Sequence, residues 1–112
     1  MISQAAENMA ASTKDGFVYL ITNAAFPGFV KIGCALDACS RLADYQTYCP
    51  FRAFKLEQAA YTSDRRAAEA WMHKALAPYR VTGEWFRVHI DHAKLALNYI
   101  RECRGDAFEV AE

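Results

Sequence analysis

Glu69 and His73 stand one helical turn apart in the run Ala68-Glu69-Ala70-Trp71-Met72-His73. On a helix both would project from one edge, at a spacing that permits shared contact with a metal ion or a phosphate. A structural, hydrogen-bonded histidine fits the same spacing. Glu69 also lies four residues beyond Arg65, which allows a surface ion pair worth about 0.2–0.5 kcal/mol. Earlier in the chain, GFVYLITNAAFPGFVKIG (residues 16–33) puts Tyr19 in one β-rich run, Lys31 in a second and Gly33 two residues later. Taken alone, Tyr19 reads as a half-buried strand tyrosine, and Lys31 and Arg41 read as surface charges. Gly33 suits a close backbone approach or a sharp turn.

These side chains need elements to position them. Val18 to Ile21 and Phe29 to Ile32 are rich in β-branched and aromatic residues, and Pro27-Gly28 between them is turn chemistry, so the stretch predicts a hairpin. Asp37 can cap a helix with Ala38, Leu42 and Tyr45 on one face, closed by Pro50, and a third strand fits Ala53 to Tyr61. Asp64 can cap a second helix, whose Ala68, Trp71, Met72, Ala75 and Leu76 keep the 3.6 period until Pro78. Glu84 to Val88 predicts a short strand after a Thr82-Gly83 turn, with Trp85 and Phe86 as core aromatics. Asp91 is placed to cap a last helix carrying Ala93, Ala96, Leu97 and Ile100. The expected order is β-β-α-β-α-β-α, an α/β (α+β) domain with a small, mostly antiparallel sheet and helices covering one face.

Bulk properties narrow the class. A chain of 112 residues with 54% hydrophobic and 23% charged residues suits one globular domain and excludes a mostly disordered protein. The domain is expected over residues 15–103, between a flexible N-terminal segment (1–14) and an acidic tail (104–112). No stretch reaches the roughly 20 apolar residues of a membrane span, and the N-terminal residues lack the apolar middle of a secretory signal, so a cytoplasmic location is expected. Cys34, Cys39, Cys49 and Cys103 form no C-x-x-C pair and read as buried, reduced thiols. Zinc-finger spacing with His73, His89 and His92 is absent. Net charge is zero, but residues 14–94 hold eleven Lys and Arg against eight Asp and Glu, leaving the centre slightly basic.

The element order and these residues together resemble the GIY-YIG endonuclease superfamily. VYLI and VKIG stand where its two half-motifs would. Arg41 follows eight residues after Gly33, Glu69 sits in a later helix, and Arg80 precedes G-E-W-F at 83–86. The likeness is to the phage and bacterial branch whose second half-motif is K-I-G, and it covers roughly residues 16–88.

The resemblance implies hydrolysis of a DNA phosphodiester with one divalent cation, Mg²⁺ or Mn²⁺. It makes Glu69 the metal ligand, Tyr19 the group that helps activate water, and Arg41 the phosphate clamp, with His73 beside Glu69. Gly33 and Arg80 fall on the substrate side. Lys31 stands where the family's eponymous tyrosine would be, so an electrostatic role is expected of it. The asparagine many members carry after the glutamate helix has no match. DNA is the expected partner and no membrane is expected. A monomer would nick, whereas a homodimer could cut both strands. Two other readings fit the same residues: a nucleic-acid-binding module of this fold without turnover, and a phage-type regulatory protein that binds a host protein.

Overall fold

The computed structural model describes residues 13–103. The tail 104–112, and all but the last two residues of the expected N-terminal segment, lie outside the described residues. Strand β1 (Gly16–Asn23) and strand β2 (Phe29–Ala35) form the predicted hairpin, antiparallel, with Tyr19 opposite Gly33 and Ile21 opposite Lys31. Its turn runs Phe26-Pro27-Gly28-Phe29. Pro27 presets one corner, Gly28 takes φ 88° at the next, and Phe29 N–H donates to Phe26 O at 3.2 Å.

Helix α1 (Ala38–Thr47) begins at Asp37, whose carboxylate accepts the Cys39 and Ser40 N–H groups. Strand β3 (Phe54–Thr62) pairs with the other edge of β1. Helix α2 (Arg65–Ala75) is capped by Asp64 through the Ala67 N–H, and a 3₁₀ turn holding Pro78 follows it. Two three-residue strands come next, β4 (Arg80–Thr82) and β5 (Trp85–Arg87), then helix α3 (Ile90–Cys103). The result is a small α+β domain, a five-stranded antiparallel sheet in the order β3-β1-β2-β5-β4 with three helices.

Four expectations need correction. The single strand expected at 84–88 is the second arm of a β4–β5 hairpin, because Gly83 at φ 56° turns the chain back on itself. The last helix starts one residue before Asp91. His89 caps it instead: its carbonyl accepts the His92 and Ala93 N–H groups, and its Nδ1 accepts that of Asp91. The cysteines are all free thiols but none is fully buried.

The helices lie on both faces of the sheet rather than one. Val18 and Leu20 point into a core with Ile32, Phe86, and the α2 and α3 residues Ala68, Met72, Leu97 and Ile100. Tyr19 and Ile21 point the other way, under Leu42 and Tyr45 of α1. Successive residues of β1 are large on both sides, so both faces demand cover.

Candidate functional site

The β1–β2 register puts Tyr19 and Lys31 on the α1 face, since residues opposite one another and two apart share a face. Gly33 lies directly across from Tyr19. A Cβ there would press on the Tyr19 hydroxyl, come within 2.6 Å of its Cζ and reach within 2.8 Å of Glu84 Oε1. The glycine therefore makes room for a phenol and a carboxylate in the same space.

Helix α1 closes over this spot with two residues one turn apart. The Tyr45 hydroxyl meets that of Tyr19 at 2.8 Å, and the Arg41 guanidinium lies close to the Tyr45 side chain. Lys31 Nζ lies 5.2 Å from the Tyr45 ring centroid, 5.4 Å from that of Trp85, and 3.5 Å from Glu84 Oε1. Burial raises the pKa of Tyr19, and the hydrogen bond to Tyr45 raises it further, so Tyr19 stays a neutral phenol.

Strand β5 pairs with β2 only along Phe29–Lys31, which leaves the next stretch of β2 for side chains to reach. Ile32 N–H donates to Glu84 O at 2.9 Å, and His73 Nε2 donates to Ile32 O at 2.8 Å. A carbonyl can only accept, so His73 Nε2 carries a proton, and that nitrogen is taken up in bracing β2. The structural reading of His73 is realised, with the ring beside Glu69.

Glu69 does not pair with Arg65, whose Nη1 is bound to the Thr13 and Asp15 carbonyls. It turns toward β2, where Oε1 accepts from Cys34 Sγ at 3.5 Å. Oε2 is buried without a hydrogen-bond partner, 3.9 Å from His73 Nε2. Burial raises the Glu69 pKa, the nearby Glu84 carboxylate raises it further, and His73 works against them. Cys34 is pushed up to about 12, first by burial and then by Glu69, so it remains a thiol donor.

Glu84 thus reaches around the Gly33 position. It pairs with Lys31 and lies near Tyr19 on the α1 side, and its charge acts on Glu69 on the α2 side, linking the two into one polar network. Two neighbouring carboxylates, one with an orphaned oxygen, are a donor set that fits a hard divalent cation. No three His, Cys, Asp or Glu side chains among the described residues converge into a closed cage. Water and substrate oxygens would have to complete the coordination.

Arg80 stands apart from this network. Its Nε donates to Gly83 O at 2.8 Å, bracing the turn that delivers Glu84. Beside the network, a groove of about 420 Å³ runs past Cys34, Ser40, Arg41, Asp44, Arg65 and Arg66. A cavity of about 470 Å³ near the β1–β2 turn holds none of the network residues, so size does not mark the chemistry.

Tyr45 and Glu84 were the residues the sequence hid. Tyr45 looked like one more apolar position on α1, although its place four residues beyond Arg41 was a usable signal. Glu84 had several ionic partners to choose from in sequence, and only the register of β2 and β5 selects Lys31.

No curated protein and no solved structure matches the chain. The family model that does match is described as the T5orf172 domain, a different family from the GIY-YIG superfamily, and it overturns that resemblance. VYLI and VKIG are patterns that any buried hairpin favours, and loosely spaced Arg and Glu residues add little to them. The match runs over residues 16–103, which takes in the whole sheet and all three helices, and the chain belongs to the T5orf172 domain family.

Proposed function

We propose that this domain is a metal-dependent DNA endonuclease that hydrolyses phosphodiester bonds at the network around Gly33. The domain type supports a nucleic-acid-binding role. The observation that carries the cleavage reading is the continuity of the network: Arg41 to Tyr45 to Tyr19, and around Gly33 through Glu84 to both Lys31 and Glu69.

Glu69, with Glu84 beside it, would hold Mg²⁺ or Mn²⁺, which when bound supplies Lewis-acid polarisation of a phosphoryl oxygen. The other roles belong to the chain. Arg41 offers a planar fork that matches two phosphate oxygens, and Lys31 adds a point charge from the sheet. Tyr45 orients an attacking water by a hydrogen bond, and the buried Tyr19 phenol holds Tyr45 in place from below. His73 fixes β2 against α2, and Arg80 fixes the turn of Glu84.

A second reading, a binding module without turnover, draws support from the complete burial of Tyr19 and the lack of a closed metal cage among the described residues. Incubation of supercoiled plasmid with the protein and Mg²⁺ or Mn²⁺ separates the two. Nicked or linear product that EDTA suppresses is the expected result. Salt-dependent binding with no product would leave only the binding module.

A further inference from the structure

Two aromatic rings stand almost wholly in solvent at the end of α1: Tyr48 is 88% exposed and Phe51 is 87% exposed, more than any other large hydrophobic residue described. The loop that carries them is held firmly. Arg52 Nη1 donates to Gln46 O at 2.9 Å and Cys49 O at 3.2 Å, and the Gln46 amide makes a double hydrogen bond with the Phe54 backbone, at 2.7 and 3.1 Å. Ala53 N–H donates to Cys49 Sγ at 3.3 Å. Arg52 itself sits at φ 49°, the left-handed region that side-chain-bearing residues seldom enter, and it is the only such non-glycine residue described. A braced loop that displays two rings is built to present them.

Position says what they face. Arg41, Tyr45 and Tyr48 follow at i, i+4 and i+7, so they form one stripe along α1 that starts at the guanidinium and passes the tyrosine of the network. Seven residues of helix span about 10 Å. A stacked strand rises about 3.4 Å per nucleotide and an unpaired one spans more, so a strand with a phosphate at Arg41 that follows the stripe brings a base about one to three nucleotides away to the rings. Between Tyr45 and Lys55 there is no acidic residue, while Arg52 and Lys55 are basic. A strand with a polyanionic backbone and flat apolar bases suits both the charge and the rings.

We propose that Tyr48 and Phe51 form a stacking finger for an unpaired nucleobase of the bound strand, which makes single-stranded or frayed nucleic acid the preferred substrate. This rests on the nucleic-acid reading of the network, and the test keeps the two apart. Fluorescein-labelled single strand and the matching duplex are titrated in EDTA across a salt series, with wild type and with the Tyr48→Ala/Phe51→Ala double variant. Both rings are outside the core, so the variant should fold.

The expected result is tighter wild-type binding to the single strand, and a loss of about tenfold or more in the variant for that ligand alone. Duplex affinity and the salt slope should not change, because no phosphate contact is removed. Single-strand binding by the variant equal to wild type would overturn the finger while leaving nucleic-acid binding intact, and would point the rings to a protein partner. An equal loss on both ligands would also overturn base stacking. Wild-type protein that binds neither ligand would overturn the finger and the nucleic-acid reading together.

Discussion

The two faces of strand β1 differ in what they are made for. On the α2–α3 side, Val18 and Leu20 meet Ile32, Met72, Phe86, Leu97 and Ile100 in an apolar cluster, and Trp71 stacks on Tyr99 at 4.7 Å to join the two helices. On the α1 side, Ile21 still packs under Leu42, but Tyr19 lies beneath Tyr45 with Lys31 and Arg41 close by, so polar groups are set into the packing. One face gains its energy from area removed from water, about 1.5–3 kcal/mol for each large side chain. The other holds buried polar groups that are tolerable only because they satisfy one another. Glu69 breaks this division: it is a carboxylate on the apolar side, held by Cys34 with one of its oxygens left over, and Glu84 links it to the polar side.

Substitutions on the two faces should therefore separate stability from activity. Leu97→Ala, in the apolar core, should lower the free energy of unfolding by about 2–5 kcal/mol while leaving cleavage per folded molecule unchanged. Urea denaturation alongside single-turnover kinetics checks both halves. Arg41→Lys should do the reverse. It keeps the charge but loses the fork, so single-turnover cleavage should slow by about 2.7–4 kcal/mol of barrier, with stability and DNA affinity nearly intact. Wild-type cleavage rates in that variant would return Arg41 to an ordinary surface charge.

Gly33→Ala sharpens the contrast further, because it places a methyl group against Tyr19 and Glu84 together. An overpacking cost of about 1–3 kcal/mol is expected, with a loss of activity larger than unfolding explains. The smallest effect is a pH dependence. Glu69 holds its proton to higher pH in the folded chain than in the unfolded one, so the folded state binds more protons between the ordinary glutamate value, about 4.3, and its raised native value. Stability contributed by this group should fall as pH rises through that window, and Glu69→Gln should flatten the slope. A slope unchanged by the substitution would mean that Glu69 is not the group held in its neutral form.

Much of the apolar face was legible in the sequence. The 3.6-residue period of α2, its Asp64 cap and the Pro27-Gly28 turn are local signals, and local physics decides them. The polar face was less so. Tyr19, Lys31, Arg41 and Glu69 were picked out by likeness to a family that the chain does not belong to. The structure gathers Tyr19, Lys31 and Arg41 on the α1 face and leaves Glu69 on the α2 side, linked to them through Glu84, while their chemical roles stay proposals. For Tyr45 the spacing from Arg41 was the one local sign, and the importance of both Tyr45 and Glu84 comes from the β2–β5 register and from how α1 crosses the sheet. His89 shows the same limit at small scale: a histidine does the capping while a better cap former stands two residues on. The second hairpin was missed because a three-residue strand carries too few residues to show alternation.

The most direct test joins metal binding to cleavage at Glu69, the carboxylate with the orphaned oxygen. Mn²⁺ is titrated into wild-type and Glu69→Gln protein with a non-cleavable phosphorothioate duplex, and cleavage of the normal duplex is followed in parallel. The account predicts that the substitution abolishes both metal uptake and product while the protein still folds and binds DNA in a salt-dependent manner. Metal-dependent cleavage by Glu69→Gln at the wild-type rate would contradict it.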